Sequence, residues 1–291
     1  VSDAWLSAHL ALAWPETAWL RLAKRRPQVV LERVRADLAR AERADVVWRS
    51  LPAAFWWCLA ERAPTEVAEL VELHADDDTL PAGLAGHGLA HLARRVPGKV
   101  VGWLGARIAW TAQHGVPAAL SDRVRGVPDE VLAPLLRGLA TARPELCVVL
   151  LRRLPAPRRG RLFQLAVSGL ATERTEWPEA LLQLLPDDLR DAEAARMLGL
   201  ARAATDGTWR RILLGLRDVA VARAPIELEA RGAQAEARGE ALGALILATA
   251  RSRGGMAETL AFAQRIKNEQ DPVRLAALGA LARVPGHRFD D

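Results

Sequence analysis

Among the titratable side chains, His87 and His91 have the spacing closest to a recognisable chemistry. Four residues apart on a predicted helix, they share one face, as two imidazoles that grip one metal ion do. His74 and the run Asp76, Asp77, Asp78 lie just upstream in the preceding loop and could complete a site. The same acidic run has a plainer use as a solvated loop that caps a helix before Leu80. The pair also lacks the glutamate of a zinc-protease helix, and no base or open coordination position can be named. Ser168 stands before Gly169 in an apolar helix with no histidine near it in sequence to activate it as a nucleophile. Cys58 and Cys147 fall within apolar faces of different elements, where a buried, inert thiol is the default. No G-x-x-x-x-G-K-[ST] and no G-x-S-x-G occurs, and Gly83, Gly86 and Gly88 form no dinucleotide fingerprint after a strand. The sequence therefore assigns no catalytic residue, no cofactor and no metal.

The elements that carry these residues follow from composition and repetition. The chain has 291 residues, 51% hydrophobic and 26% charged, an ordinary globular balance with room for one or two domains. Alanine and leucine dominate while isoleucine and threonine are scarce, which favours helix over sheet. Two cysteines give no disulfide framework and suit a reducing, cytoplasmic setting. No apolar run approaches the ~20 residues of a membrane span, and the first residues lack a signal-peptide layout.

A short phrase, Leu-Ala followed by polar or basic residues and then Pro or Gly, recurs from Leu22, Leu59, Leu92, Leu139, Leu170, Leu200, Leu247 and Leu281. The intervals of 37, 33, 47, 31, 30, 47 and 34 residues are those of a helical-repeat array. Each phrase closes one helical stretch and most are followed by another that opens on proline, as after positions 26, 63, 96 and 143. The predicted unit is helix, tight turn, helix. Two longer intervals hold extra material: a short helix between loops at 114–128, and a long polar helix at 226–240. Either is a place for a bend or an irregular repeat, the second extending over 217–240. The glycines near helix ends, Gly88, Gly138, Gly169, Gly199, Gly243 and Gly279, fit close helix packing.

The last copy carries a family resemblance. Residues 271–285, with Asp271, Val273, Arg274, Ala276, Ala277, Ala280, Leu281 and Val284, resemble the second helix of a HEAT repeat. A shift of 36 residues brings Arg238, Ala241, Leu242, Gly243, Ala244 and Leu245 into the same slots, though the Asp slot is not filled there. The resemblance covers residues 237–285 and implies an all-α fold: one right-handed α-solenoid over residues 1–291, of about seven or eight helix-turn-helix repeats. It also implies a polar ladder between the Asp and Arg of successive units, here confined to Arg238, Asp271 and Arg274. The chain begins with Val and ends on half a repeat, as a piece of a longer array or a non-Met start would.

Equivalent turns of such an array stack along one edge. Lys24, Arg25 and Arg26 share a turn position with Arg94, Arg95 and Lys99, and with Arg143, Arg251, Arg253 and Arg283. Arg152, Arg153, Arg158, Arg159 and Arg161 add to a neighbouring turn. Such a stripe suits an acidic protein surface or phosphates, while basic helix C-termini also arise for dipole reasons alone. Net charge is only +5, and all but three of the 40 basic residues are arginine, as a GC-rich gene would also encode. Eight of the ten tryptophans precede residue 111. Trp56 and Trp57 resemble the tryptophans with which some HEAT-like DNA glycosylases hold a base. Cys58 stands where that signature has an acid, and packing in a helical core is the plainer role. The expectation is a non-catalytic scaffold for a protein partner, with nucleic-acid binding along the arginine edge as the alternative and glycosylase chemistry a distant third.

Overall fold

The computed structural model describes residues 16–42, 44–75, 78, 80–168, 170, 174–252 and 254–289. Among the described residues there are twenty α-helices, some joined by single 3₁₀ turns, and no strand. The helices group into two compact units that divide in sequence between residues 168 and 169.

The first unit holds α1 (Glu16–Arg25), α2 (Pro27–Arg40), α3 (Ala44–Ser50), α4 (Ala53–Arg62), α5 (Pro64–His74) and α6 (His87–Arg95). It continues with α7 (Pro97–Ala106), α8 (Ile108–His114), α9 (Ala118–Ser121), α10 (Asp129–Ala142), α11 (Pro144–Leu151) and α12 (Ala156–Val167). Four of the recurring phrases become one and the same joint. At Arg26, Ala63, Val96 and Arg143 a single residue separates two helices, with φ from −151° to −130° and ψ from 55° to 71°. In each, the joint N–H donates to the carbonyl of the phrase leucine, Leu22, Leu59, Leu92 or Leu139, at 2.7–2.8 Å. Proline follows at the first position of the next helix. It has no N–H to leave unpaired there, and its ring drives the residue before it out of the helical basin. Leu59, Leu92 and Leu139, with Ala60 and Ala93, are fully buried, so one phrase makes both the turn and the core beneath it.

Helices separated by others along the chain pack together: α1 on α4, α4 on α6, α7 on α10, and α10 on α12. Gln28 at the start of α2 donates to Glu66 at the start of α5 at 2.8 Å, which sets the first two joints side by side. The aromatic residues fill the core between them. Trp56 is 0% exposed, its ring 4.4 Å from Trp48 and 5.3 Å edge-on from Phe55, and its Nε1 donates to the Trp48 carbonyl at 3.0 Å. A Cβ on Gly83 would lie 2.2 Å from the Trp56 Cδ1, so only glycine fits. Trp57 is half-buried, edge-on to His87 at 4.9 Å, with its Nε1 enclosed and without a partner. The insert at 114–128 is the short helix α9 followed by a 3₁₀ turn at Val124–Gly126, as expected.

The second unit holds α13 (Glu179–Leu182), α14 (Asp187–Leu198), α15 (Ala201–Thr205), α16 (Gly207–Leu216), α17 (Val219–Glu229), α18 (Ala235–Ser252), α19 (Met256–Ala263) and α20 (Asp271–Leu281). Every second helix packs on the next: α14 on α16, α16 on α18, and α18 on α20. Helix α18 is apolar on two sides because it is covered on both. Leu242 and Ile246 pack with Met256, Val273 and Ala277, whereas Ala241 and Leu245 pack with Leu214, Ala222 and Ile226. The Asp206 carboxylate caps α16 by accepting from the Trp209 N–H at 2.9 Å.

Three sequence expectations are corrected here. The polar helix over 226–240 is two helices: α17 ends at Glu229, the Gly232 N–H returns to the Glu229 carbonyl at 3.0 Å, and α18 starts at Ala235. Ile226 and Ala241 join one apolar cluster, whereas a straight helix would hold residues this far apart roughly 22 Å from each other at 1.5 Å per residue. The ladder from Arg238 to Asp271 is not formed. Arg238 instead donates to Glu269 at 2.8 Å, and Asp271 accepts from Arg274 one turn along its own helix at 2.6 Å. Of the glycines, Gly88, Gly138 and Gly243 do face close neighbours, but a Cβ on Gly279 would meet nothing within 4 Å. Gly169 lies outside the described residues.

Candidate functional site

The basic residues divide into exposed side chains and side chains tied into the fold. Lys24 and Arg25 in the last turn of α1, and Arg94 and Arg95 in the last turn of α6, are exposed. These four make no hydrogen bond or ion pair among the described residues. Arg26, the joint residue, is exposed beside them. Lys99 is paired with Glu72 at 2.7 Å. Arg152 and Arg153 follow α11 and are exposed, Arg153 lying 3.6 Å from Asp122. The other three are hydrogen-bonded within the first unit, Arg161 from an exposed position. Arg158 donates to the Asp129 carboxylate at 2.7 Å and to the backbone carbonyls of Arg125 and Val127. Arg161 reaches the second Asp129 oxygen at 2.6 Å, and Arg159 donates to the Leu154 carbonyl at 2.7 Å. Arg253 is outside the described residues.

Asp129 is the hub of that cluster. Burial pushes its carboxyl up, but hydrogen bonds from Arg158 and Arg161 outweigh this and hold it below the usual carboxylate range. A carboxylate with a depressed folded pKa contributes stability that is present above its unfolded pKa and lost as pH falls through the folded value. Asp129→Asn is therefore expected to cost about 1–3 kcal/mol at neutral pH. Urea denaturation of the two proteins should show the gap closing below about pH 4, where the wild-type carboxylate also protonates. A gap that persisted unchanged into acid would show that the charge is not what matters.

The nucleophile and metal candidates are placed as follows. Cys147 is buried and its thiol is pushed up to about 12 by burial. Cys58 is buried and raised for the same reason. Both sulfurs are held as thiols and not as the reactive thiolate. Ser168 is the exposed residue that ends α12. His87 is exposed and His91 half-buried on α6, while Asp76 and Asp77 lie outside the described residues. Among the described residues no group of three or more His, Cys, Asp or Glu side chains could hold a metal ion.

The second unit presents a groove that the sequence did not mark as a site. It has a volume of about 390 Å³ and lies over α16, α18 and α20. Its floor is made of small residues where those helices cross, Gly215 against Ala244 and Gly239 against Ala276, with Cβ approaches of 3.1–3.2 Å. Ile212, Leu216 and Leu247 form an apolar wall. Of the three arginines that line it, Arg211 is neutralised, with its Nε 2.8 Å from Glu240 and its Nη1 3.4 Å from Glu229. Among the described residues Arg283 donates only to the Gly279 carbonyl, at 3.3 Å. Among the described residues Arg251 makes no hydrogen bond or ion pair, and its Nε is enclosed without an acceptor. Burial first, and then the neighbouring Arg190, pull the Arg251 pKa down to about 10. Arg190 itself is held by Asp187 at 2.8 Å and by the Leu216 carbonyl at 3.3 Å.

The repeated phrase shows why Arg251 differs from its counterparts. Counted from the phrase leucine, Arg26, Ala63, Val96, Arg143 and Arg251 occupy the same slot. The first four are joints because proline follows. Ser252 follows Arg251, so the helix runs on and keeps the guanidinium against its neighbours. The missing proline is the one signal in the sequence that could have separated Arg251 from the exposed corner arginines. Comparison of the chain with protein-family models, with curated proteins and with solved structures finds no match.

Proposed function

We propose that this chain is a non-catalytic helical-repeat scaffold, a right-handed α-solenoid of HEAT-like units, that holds an acidic protein partner along its basic edge. Two observations support the repeat reading: the four identical one-residue joints at the Leu-Ala phrases, and the packing of every second helix on the next in the second unit. The observation that carries the binding reading is the set Lys24, Arg25, Arg94 and Arg95. These cations stand exposed at two equivalent joints and make no ion pair among the described residues, so a partner need break no contact with those residues to reach them. Arg158, Arg159 and Arg161 serve this reading less well, because their guanidinium groups already bridge parts of the first unit.

The test compares the wild-type chain with a variant carrying Arg25→Glu, Arg26→Glu, Arg94→Glu and Arg95→Glu. Fluorescence anisotropy follows a labelled poly-glutamate peptide, a duplex DNA and a duplex RNA at two salt concentrations. Binding of the acidic peptide that falls about tenfold or more in the variant is the expected result. Duplex binding that weakens steeply with salt, with no binding of the peptide, would replace the protein partner by nucleic acid, because phosphate contacts release counterions. Equal binding by variant and wild type would remove the basic edge from either reading.

A further inference from the structure

The groove of the second unit has its own chemistry, independent of the basic edge. A half-buried arginine whose Nε is enclosed without an acceptor among the described residues is unusual, since buried polar groups are almost always hydrogen-bonded and an unmatched donor is costly. Of the carboxylates nearby, Glu240 and Glu229 are committed to Arg211, Glu229 also to Arg210 at 2.9 Å, and Asp187 to Arg190. Glu179, at the groove wall, accepts from Gln183 at 2.6 Å and acts on Arg251 through its field without forming an ion pair among the described residues. Arg283, at the same groove, has only a backbone carbonyl as partner among the described residues. The groove thus offers two guanidinium groups that form no ion pair with a carboxylate among the described residues, beside an apolar wall and a floor on which the backbone is open because the residues are glycine and alanine. A guanidinium presents its donors in a planar fork that matches a carboxylate or phosphate. The volume of about 390 Å³ suits a small molecule.

We propose that this groove binds a small organic oxyanion, a carboxylate or phosphate monoester with a compact apolar body, whose anionic oxygens accept from Arg251 and Arg283 while the body rests on Ile212, Leu216 and Leu247. Arg251 is the recognition residue and Arg283 the second clamp.

The experiment titrates the full chain with phenylacetate and phenyl phosphate, two anions on one apolar body, and with inorganic phosphate as the bare ion. Calorimetry gives affinities, and ¹⁵N–¹H spectra of the arginine Nε–H groups report where binding occurs. The expected result is that at least one aromatic anion binds at least tenfold more tightly than inorganic phosphate and shifts the Arg251 Nε–H signal. Whichever of the two binds more tightly identifies the oxyanion. Arg251→Met should lose at least tenfold in affinity with its circular dichroism unchanged, and Arg251→Lys should recover part of the loss. Arg283→Gln should weaken binding without abolishing it. The proposal is overturned if no probe binds by about 10 mM, the weak end of specific recognition. It is equally overturned if inorganic phosphate binds as well as the aromatic anions, or if Arg251→Met binds as wild type does. Should Arg251→Met not fold, Arg251→Lys and the Nε–H shift in the wild-type chain decide the matter alone.

Discussion

Replacing Trp56 by alanine is expected to cost about 3–5 kcal/mol, the range for emptying a fully packed aromatic site. The indole is wholly buried, tilted against Trp48, edge-on to Phe55, and bonded through Nε1 to the Trp48 carbonyl. Gly83 approaches so closely that no side chain is tolerated opposite it. A cavity left here is walled by helix backbone as well as side chains and can collapse only partly. The adjacent Trp57 should behave differently although it stands next in sequence. Its Nε1 is enclosed without an acceptor, a liability that phenylalanine does not share. Trp57→Phe is therefore expected to fall within about 1 kcal/mol of wild type, the lost packing offset by the removed donor. Chemical denaturation followed by circular dichroism compares the two. Equal losses would mean that the pair acts as one packed block. A near-neutral Trp56→Ala would show that its ring is not in the core and would reopen an aromatic binding surface.

That pair also marks how far the sequence could be read. The burial of Trp56 was the plainer expectation from its place in an apolar helical face. The unmatched donor on Trp57 was not legible, because it depends on His87 and Gly88 arriving from another helix. The joints at Arg26, Ala63, Val96 and Arg143 were legible for a local reason: leucine supplies the accepting carbonyl, and proline at the next residue stops one helix and starts another. Where the determinants are distant the reading failed. The run 226–240 is made mostly of good helix formers, and of its two glycines Gly232 falls at the break while Gly239 lies within a helix. It breaks because residues from both its ends must reach one cluster. Arg158 looked like any corner arginine until the fold brought Asp129 and two carbonyls, 29 to 33 residues away, around its guanidinium.

Arg251 is where a charge works against the fold, and replacing it by methionine is expected to stabilise the second unit. Burial, with Arg190 second, pulls its pKa from 12.5 to about 10. At 1.36 kcal/mol per unit that shift corresponds to roughly 3 kcal/mol of penalty on the charged form, an upper bound because the side chain is only partly enclosed. Arg251→Met keeps most of the aliphatic stem and removes the charge, so a gain of about 1–3 kcal/mol is expected in the absence of ligand, as when uncompensated buried charges give way to apolar groups. The sign with pH follows from proton binding. Above pH 10 the native state binds fewer protons than the unfolded chain, wild-type stability rises, and its deficit relative to the variant shrinks. The deficit should be constant from about pH 6 to 9 and narrow beyond 10. A variant less stable than wild type by more than about 1 kcal/mol would show that Arg251 is compensated within the fold and has no need of an external anion. Ligand supplies the opposite arm. An oxyanion at a hundred times its dissociation constant adds about 2.7 kcal/mol to the wild-type chain and nothing to the methionine variant. The order of the two melting temperatures should then close up or invert. A residue that costs stability when empty and returns it when filled is one that binding, not folding, has placed there.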